Sequence, residues 1–371
     1  MKIGLDARSF GATVCGVARV TARLIEALSV IDRENQYFVF TDSSPFPGLS
    51  NQNFRVVQTR CPRMNPFYDL KFAGIAGAFH LDLFHSVHSW LPFGVGRIAP
   101  RSLVTIHDMF AVTDPSFFSK YGAFSGFARA YFSYLTARSV KAADMILTVS
   151  EYSKRRIQEV MPASVGKVGV VYNASGMNLS RGPAGAVSGV QGKYILYVGN
   201  CRSYKNVPTL IQAFSAYLHA NANSDISLVI AGNDAASEIK KLVAEYGIAA
   251  KVIFYKDPND KVLHDLYAGA LGFVMPSKEE GFGIPVVEAM GMGVPVIISD
   301  ADALTEVAGG AALIFPKFDH ERLAGLIGQL VRDESLRLGL ARRGLERSKV
   351  FTWKQSAEKL LSCYVDLYSA R

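Results

Sequence analysis

Cysteine is scarce in this chain of 371 residues. The four cysteines, Cys15, Cys61, Cys201 and Cys363, stand too far apart for any zinc-type spacing. That argues against a disulfide framework and leads to the expectation of reduced thiols in a cytoplasmic protein. Long hydrophobic runs are lacking as well. The first residues read as a short strand rather than an apolar leader, and no later stretch approaches the roughly 20 residues of a membrane span. A soluble, unsecreted protein is expected. No Gly-x-Gly-x-x-Gly follows either of the strands that open the two halves, which disfavours a dinucleotide dehydrogenase.

What is present begins with an uneven charge. The net charge is +8, and residues 1–185 carry 20 Lys or Arg against 12 Asp or Glu, whereas residues 186–371 carry 20 of each. A basic half beside a neutral one points to an acidic neighbour, either anionic lipid or nucleic acid. No nucleic-acid-binding motif accompanies the charge, so anionic membrane is the favoured neighbour and nucleic acid is not expected. At 49% apolar residues the chain is rich enough for two packed cores.

Strand-like runs alternate with helical ones in the first half, at 2–7, 36–41, 54–59, 83–87, 102–108, 145–150 and 168–173. They resume in the second half at 194–198, 227–232, 252–256, 271–277, 294–299 and 311–316. Such alternation predicts an α/β protein with parallel sheets covered by helices. Residues 175–192 hold five glycines and a proline with no sustained period, and read as a linker.

The most informative stretch is Glu280-Gly281-Phe282-Gly283-Ile284-Pro285-Val286-Val287-Glu288. It follows an apolar strand, and Pro285 reads as part of a first helical turn. Two carboxylates, Glu280 and Glu288, are thereby predicted beside a helix N-terminus, whose unpaired N–H groups and dipole favour an anion. A second loop of this kind is Gly199-Asn200-Cys201-Arg202-Ser203-Tyr204-Lys205-Asn206, where Asn206 reads as an N-cap with Lys205 and Arg202 at the helix entrance. Gly16 lies where a glycine loop, 11–15, turns into a helix, a place suited to diphosphate contact. His107 is expected at the carboxyl end of a strand, where ligands of open α/β sheets gather.

The Glu280/Glu288 pair and the 199–206 loop resemble the motifs of the retaining glycosyltransferases of family 4, in particular bacterial mannosyltransferases of surface polysaccharide synthesis. The resemblance runs over nearly the whole chain in the order of its motifs. It implies a GT-B fold: two Rossmann-like doubly wound domains facing across a cleft. The domains would be an acceptor-side unit at 1–175, a linker at 176–192, a nucleotide-sugar unit at 193–350, and a terminal helix at 351–371 crossing back to the first. The implied activity is transfer of a hexose, mannose from GDP-mannose as first choice, to a hydroxyl of a lipid-linked or oligosaccharide glycan acceptor, without metal or other cofactor. By the same resemblance Glu280 holds a sugar hydroxyl, His107 orients the sugar, and Glu288 holds the ribose. Lys205, Arg202, Gly16 and the backbone at Gly281, Phe282 and Gly283 meet the diphosphate. Asn200 stands where many members carry an arginine, and Ala18 where they carry a second glycine. A nucleotide-sugar epimerase on the same fold and a non-catalytic glycan-binding relative are the alternatives.

His80, Asp82, His85 and His88 invite a metal reading, which the strand at 83–87 disfavours by splitting them between two faces. Phe124, Phe127, Tyr131 and Leu135 share one helical face and are expected in the core, with docking of this basic, aromatic segment on a bilayer as the alternative. Ser150 is expected to cap a helix.

Overall fold

The structure, a computed structural model, describes residues 1–8, 16–42, 49, 51–63, 65–177, 189–232 and 237–370, with the backbone alone for 119–121. The glycine loop 11–15 with Cys15, and most of the expected linker, lie outside the described residues. The chain divides into two compact units, Met1–Ala174 with Trp353–Arg371, and Ser175–Thr352.

The first unit is built on β1 (Lys2–Asp6), β2 (Gln36–Thr41), β3 (Phe54–Gln58), β4 (Leu83–Ser86), β5 (Arg101–Thr105), β6 (Met145–Thr148) and β7 (Val168–Val170). They form one seven-stranded sheet in the order β3-β2-β1-β4-β5-β6-β7, with every neighbouring pair parallel. Helices cover both faces of such a sheet, which is why β1 and β4 are buried along almost their whole length, the polar Asp6, His85 and Ser86 included.

The second unit carries β8 (Tyr194–Val198), β9 (Ser227–Gly232), β10 (Val252–Lys256), β11 (Gly272–Met275), β12 (Val296–Ser299) and β13 (Ala312–Phe315). These run β10-β9-β8-β11-β12-β13, again all parallel. In each unit the order reverses once, between β1 and β4 and between β8 and β11. Those reversals are the topological switch points outside whose carboxyl ends ligands bind in doubly wound sheets. At the end of β9 the backbone of the β8 loop comes so near that a Cβ on Gly232 would lie 2.0 Å from the Gly199 carbonyl oxygen. Only glycine fits there.

The terminal helix Trp353–Ser369 belongs to the first unit, where it packs along the helix Gly16–Ile31. Ala357, Leu360, Tyr364 and Leu367 enter the same core as Ile3, Leu5, Ile25 and Leu28. Two polar ties fix it: Tyr364 Oη pairs with His85 Nδ1 at 2.7 Å, and Ser356 Oγ donates to the Tyr172 carbonyl at 2.7 Å. The helix Glu151–Val160 starts as expected, with Ser150 Oγ accepting from the Ser153 amide at 2.9 Å.

The aromatic face departs from its expectation. Leu135 is buried, but Phe124 and Phe127 are each 75% exposed and Tyr134 is 56% exposed. The helix Ser125–Ala142 docks through its second half, at Leu135, Thr136, Ser139 and Val140. Gly122, at φ 54° and ψ −125°, breaks the preceding 3-10 segment and carries the chain out before the helix begins. Helical spacing alone could not reveal that only the second half of the stripe meets the core.

Candidate active site

At the β8/β11 switch point the two loops singled out from sequence meet. Lys205 Nζ donates to Glu280 Oε1 at 2.7 Å, and the two side chains are only 11% and 9% exposed. The same carboxylate oxygen accepts from Ser277 Oγ at 2.6 Å. Both donors converge on Oε1, and Oε2 accepts no hydrogen bond among the described residues. The loops are stitched by backbone as well, the Lys278 amide donating to the Tyr204 carbonyl at 2.8 Å.

Asn206 occupies the position before the helix Val207–Ala220, but its role differs from the expected one. It adopts the left-handed conformation, φ 53° and ψ 33°, and makes no side-chain cap. Its amide Nδ2 instead donates to the Pro276 carbonyl at 3.1 Å and to the Lys317 carbonyl, while Oδ1 accepts from Thr209 Oγ1. Asn206 therefore locks the Lys205 loop onto the end of β11. Arg202 lies on the rim with an exposed side chain.

The helix Ile284–Gly291 follows directly, with Gly283 before it at φ 101°. A Cβ there would lie 2.7 Å from Leu304 Cδ2, so both the backbone angle and the space require glycine. Phe282 is buried, edge-on to Phe351 with ring centroids 5.4 Å apart, which anchors the loop and holds the first-turn N–H groups of the helix in place. Gly281 is half-buried between Glu280 and that anchor. Glu288, 4% exposed, accepts from Tyr267 Oη at 3.1 Å through Oε2 and from the Gly176 amide at 3.2 Å through Oε1. Burial, reinforced by the Glu288 charge, pushes the Tyr267 phenol well above its ordinary pKa, so it stays a donor. The second unit thus presents, at the carboxyl end of its sheet, an ammonium, a helix N-terminus and two oriented carboxylates.

In the first unit His107 lies two residues beyond β5 rather than ending it. Burial lowers its pKa, and its Nε2 faces the Val87 carbonyl at 3.2 Å. A carbonyl only accepts, so Nε2 carries the proton and Nδ1 of the neutral ring is an acceptor. Gly16 opens the helix Gly16–Ile31, and a Cβ added to it would meet nothing within 4 Å.

Sequence reasoning passed over a charge cluster at the β1/β4 switch point. Arg8 is bidentate on Asp6, with Nε to Oδ1 at 2.9 Å and a terminal nitrogen to Oδ2 at 3.0 Å, and also reaches Asp69 at 3.2 Å. Its guanidinium stacks 3.6 Å from the Phe72 centroid. Burial alone would raise the Asp6 pKa, but Arg8 and Arg63 together hold it far below the carboxylate range. The signal available was Asp6-Ala7-Arg8 directly after the first strand. Ser277 was missed too, because its value depends on where Glu280 folds back.

His85 is fully buried between Tyr364 Oη and Thr105 Oγ1, each at 2.7 Å. Among the described residues no group of three or more His, Cys, Asp or Glu side chains is arranged to hold a metal ion. No helix among them is long and apolar enough to cross a membrane.

Comparison with known proteins agrees with this geometry. Residues 186–347 match the family described as Glycosyl transferases group 1, and residues 14–175 match Glycosyltransferase Family 4. The chain is 28% identical over 291 residues to O-antigen chain mannosyltransferase B of Escherichia coli, covering 76% of this chain and 74% of that protein. Among solved structures it resembles sucrose-phosphate synthase from Thermosynechococcus elongatus, with a TM-score of 0.78 at 22% identity and full coverage of both chains. It also resembles HepE from Anabaena, solved in complex with UDP-glucose, with a TM-score of 0.74 at 15% identity, covering 99% of this chain and 100% of that one.

Proposed function

Because the chain belongs to the family 4 glycosyltransferases of GT-B fold, we propose that it transfers a hexose from a nucleoside diphosphate sugar to a hydroxyl of a lipid-linked or oligosaccharide acceptor. Transfer proceeds with retention at the anomeric carbon and without a metal. The observation that carries the reading is the Lys205–Glu280 pair, held at 2.7 Å beside the helix N-terminus at Gly283.

As the glycosidic bond stretches toward an oxocarbenium-like state, charge accumulates on the departing diphosphate. Lys205, held on Glu280 Oε1 at 2.7 Å, places its ammonium beside the helix N-terminus, where it meets phosphate oxygens. The first-turn N–H groups near Phe282 and Gly283 add fixed dipoles, and Arg202 contributes from the rim. Glu280, whose Oε2 accepts no hydrogen bond among the described residues, takes a hydroxyl of the transferred sugar. Glu288 takes the ribose hydroxyls, and His107 accepts from a sugar hydroxyl through Nδ1. Gly16 supports the diphosphate from the start of its helix.

Mannose from GDP-mannose is the favoured donor, supported by the likeness to the Escherichia coli mannosyltransferase. A lipid-linked acceptor is supported by Phe127 and Tyr134, exposed on a helix that also carries Arg129, Arg138 and Lys141, and by Phe124, exposed just before it. Aromatic rings between basic residues suit the headgroup region of an anionic membrane at the inner face, with the protein cytoplasmic and peripheral.

The test is a melting-temperature series with GDP-mannose, GDP, UDP-glucose, UDP and dTDP-rhamnose. Guanosine compounds should give the largest rise. A rise with uridine compounds alone would end the mannose reading, and no rise with any of them would end the donor site.

A further inference from the structure

We infer that Ser277 is a positioning residue for Glu280, selecting which carboxylate oxygen meets the sugar. The inference rests on the nucleotide-sugar reading of the site and goes beyond it by separating recognition of the sugar from recognition of the diphosphate.

Ser277 is fully buried two residues beyond the end of β11, and its hydroxyl donates to Glu280 Oε1 at 2.6 Å. It has no other hydrogen-bond partner through that hydroxyl among the described residues. Its own carbonyl is held from below by Ser299 Oγ, at the end of β12 and equally buried. The line Ser299, Ser277, Glu280 therefore runs from the sheet to the carboxylate: Ser299 closes β12, and Ser277, in the loop just past β11, is tied to it through its carbonyl. Rigid elements position functional groups more closely than loops do.

The second donor on Oε1 is Lys205, and the two donors are unequal. A diphosphate competes for the ammonium, drawing it toward phosphate oxygens, and a hold that depended on Lys205 alone would loosen at that moment. Ser277 faces the carboxylate from the protein side and has no such competitor. It keeps Oε1 engaged and Oε2 turned outward whether or not the phosphates are bound. An ionised carboxylate only accepts hydrogen bonds, so Oε2 must read a donated hydroxyl proton, and the direction it faces decides which hydroxyl that is.

The consequence is a split that a merely structural serine would not produce. In Ser277→Ala, calorimetric titration should show the Kd for GDP-mannose rising about tenfold, with the Kd for GDP within about twofold of wild type. In a transfer assay kcat should fall about ten- to hundred-fold, the effect expected when a group is misplaced by about an ångström. In a Glu280→Ala background the same Ser277→Ala change should add nothing, because the group it positions is gone. UDP-glucose with UDP is run in parallel, so that the pair chosen does not presuppose the base. Equal weakening of sugar nucleotide and free nucleotide would overturn the inference. So would unaltered binding of both, or an effect that persists without Glu280. If wild type binds neither pair, the functional reading fails with it, and that outcome is visible before any variant is made.

Discussion

Lys205 and Glu280 lie 75 positions apart in the chain and meet at 2.7 Å, each more than four-fifths buried. Two loops at the carboxyl ends of adjacent parallel strands are brought together by the reversal of strand order, and the contact closes over Ser277 and Asn206. The pair is costly to break, since both charges are largely withdrawn from water.

Lys205→Ala should therefore act twice. Leaving Glu280 with one donor in a desolvated site costs about 3 kcal/mol of stability, read as a lower urea midpoint. Loss of the phosphate-facing cation should lower the transfer rate about 100- to 1,000-fold. An active Lys205→Ala protein with wild-type stability would remove both arguments.

Tyr364→Phe tests how the terminal helix is held. The substitution keeps the ring in the core and removes the hydroxyl paired with His85 Nδ1, at a cost of about 1–2 kcal/mol. Leu360→Ala, which opens a cavity in the same core, should cost more, about 2–5 kcal/mol. Chemical denaturation of the two variants should rank them in that order.

Acid sensitivity should begin well above the carboxylate range. Burial, with His107 nearby, depresses His85 from 6.5 to about 3, and burial also lowers His88 and His107. The folded protein keeps these rings neutral while the unfolded chain binds protons below about pH 6.5. Stability is then fully present above that pH and falls as pH drops below it, for His85 down to about 3, by up to about 1.4 kcal/mol per pH unit for each ring still neutral. Asp6, whose pKa is held low, adds its own loss only below its ordinary 3.8. Urea midpoints at pH 7.5, 6 and 5 should decline steadily, and a flat profile over that range would contradict the buried neutral histidines.

Phe124→Ser with Phe127→Ser should leave stability within about 0.5 kcal/mol, since both rings are exposed. Co-sedimentation with phosphatidylglycerol vesicles should fall at least about tenfold. Unchanged sedimentation of the double variant, or none by wild type, would leave those rings without a membrane role.

The doubly wound fold was legible because parallel strands buried on both faces write themselves as short apolar runs, from 2–7 to 311–316. The ends of those runs were less so: residues 102–108 give a strand stopping at Thr105, which leaves His107 on the loop. The candidate site was legible where chemistry is local, as in Glu280, Gly283 and Glu288 around one helix start. It was illegible where a partner comes from far along the chain. Nothing in the sequence near His85 announces Tyr364, 279 positions on. Asn206 misled for a related reason: an asparagine before a helix usually caps it, but here its amide is spent on Pro276 and Lys317.

The most direct measurement is the electron density of a nucleoside diphosphate in a crystal of the protein soaked with GDP or UDP. Phosphate oxygens should lie within hydrogen-bond reach of Lys205 Nζ and the Gly283 amide, with the ribose hydroxyls on Glu288. Density elsewhere on the molecule, with the Lys205–Glu280 loop empty, would contradict the account at its root.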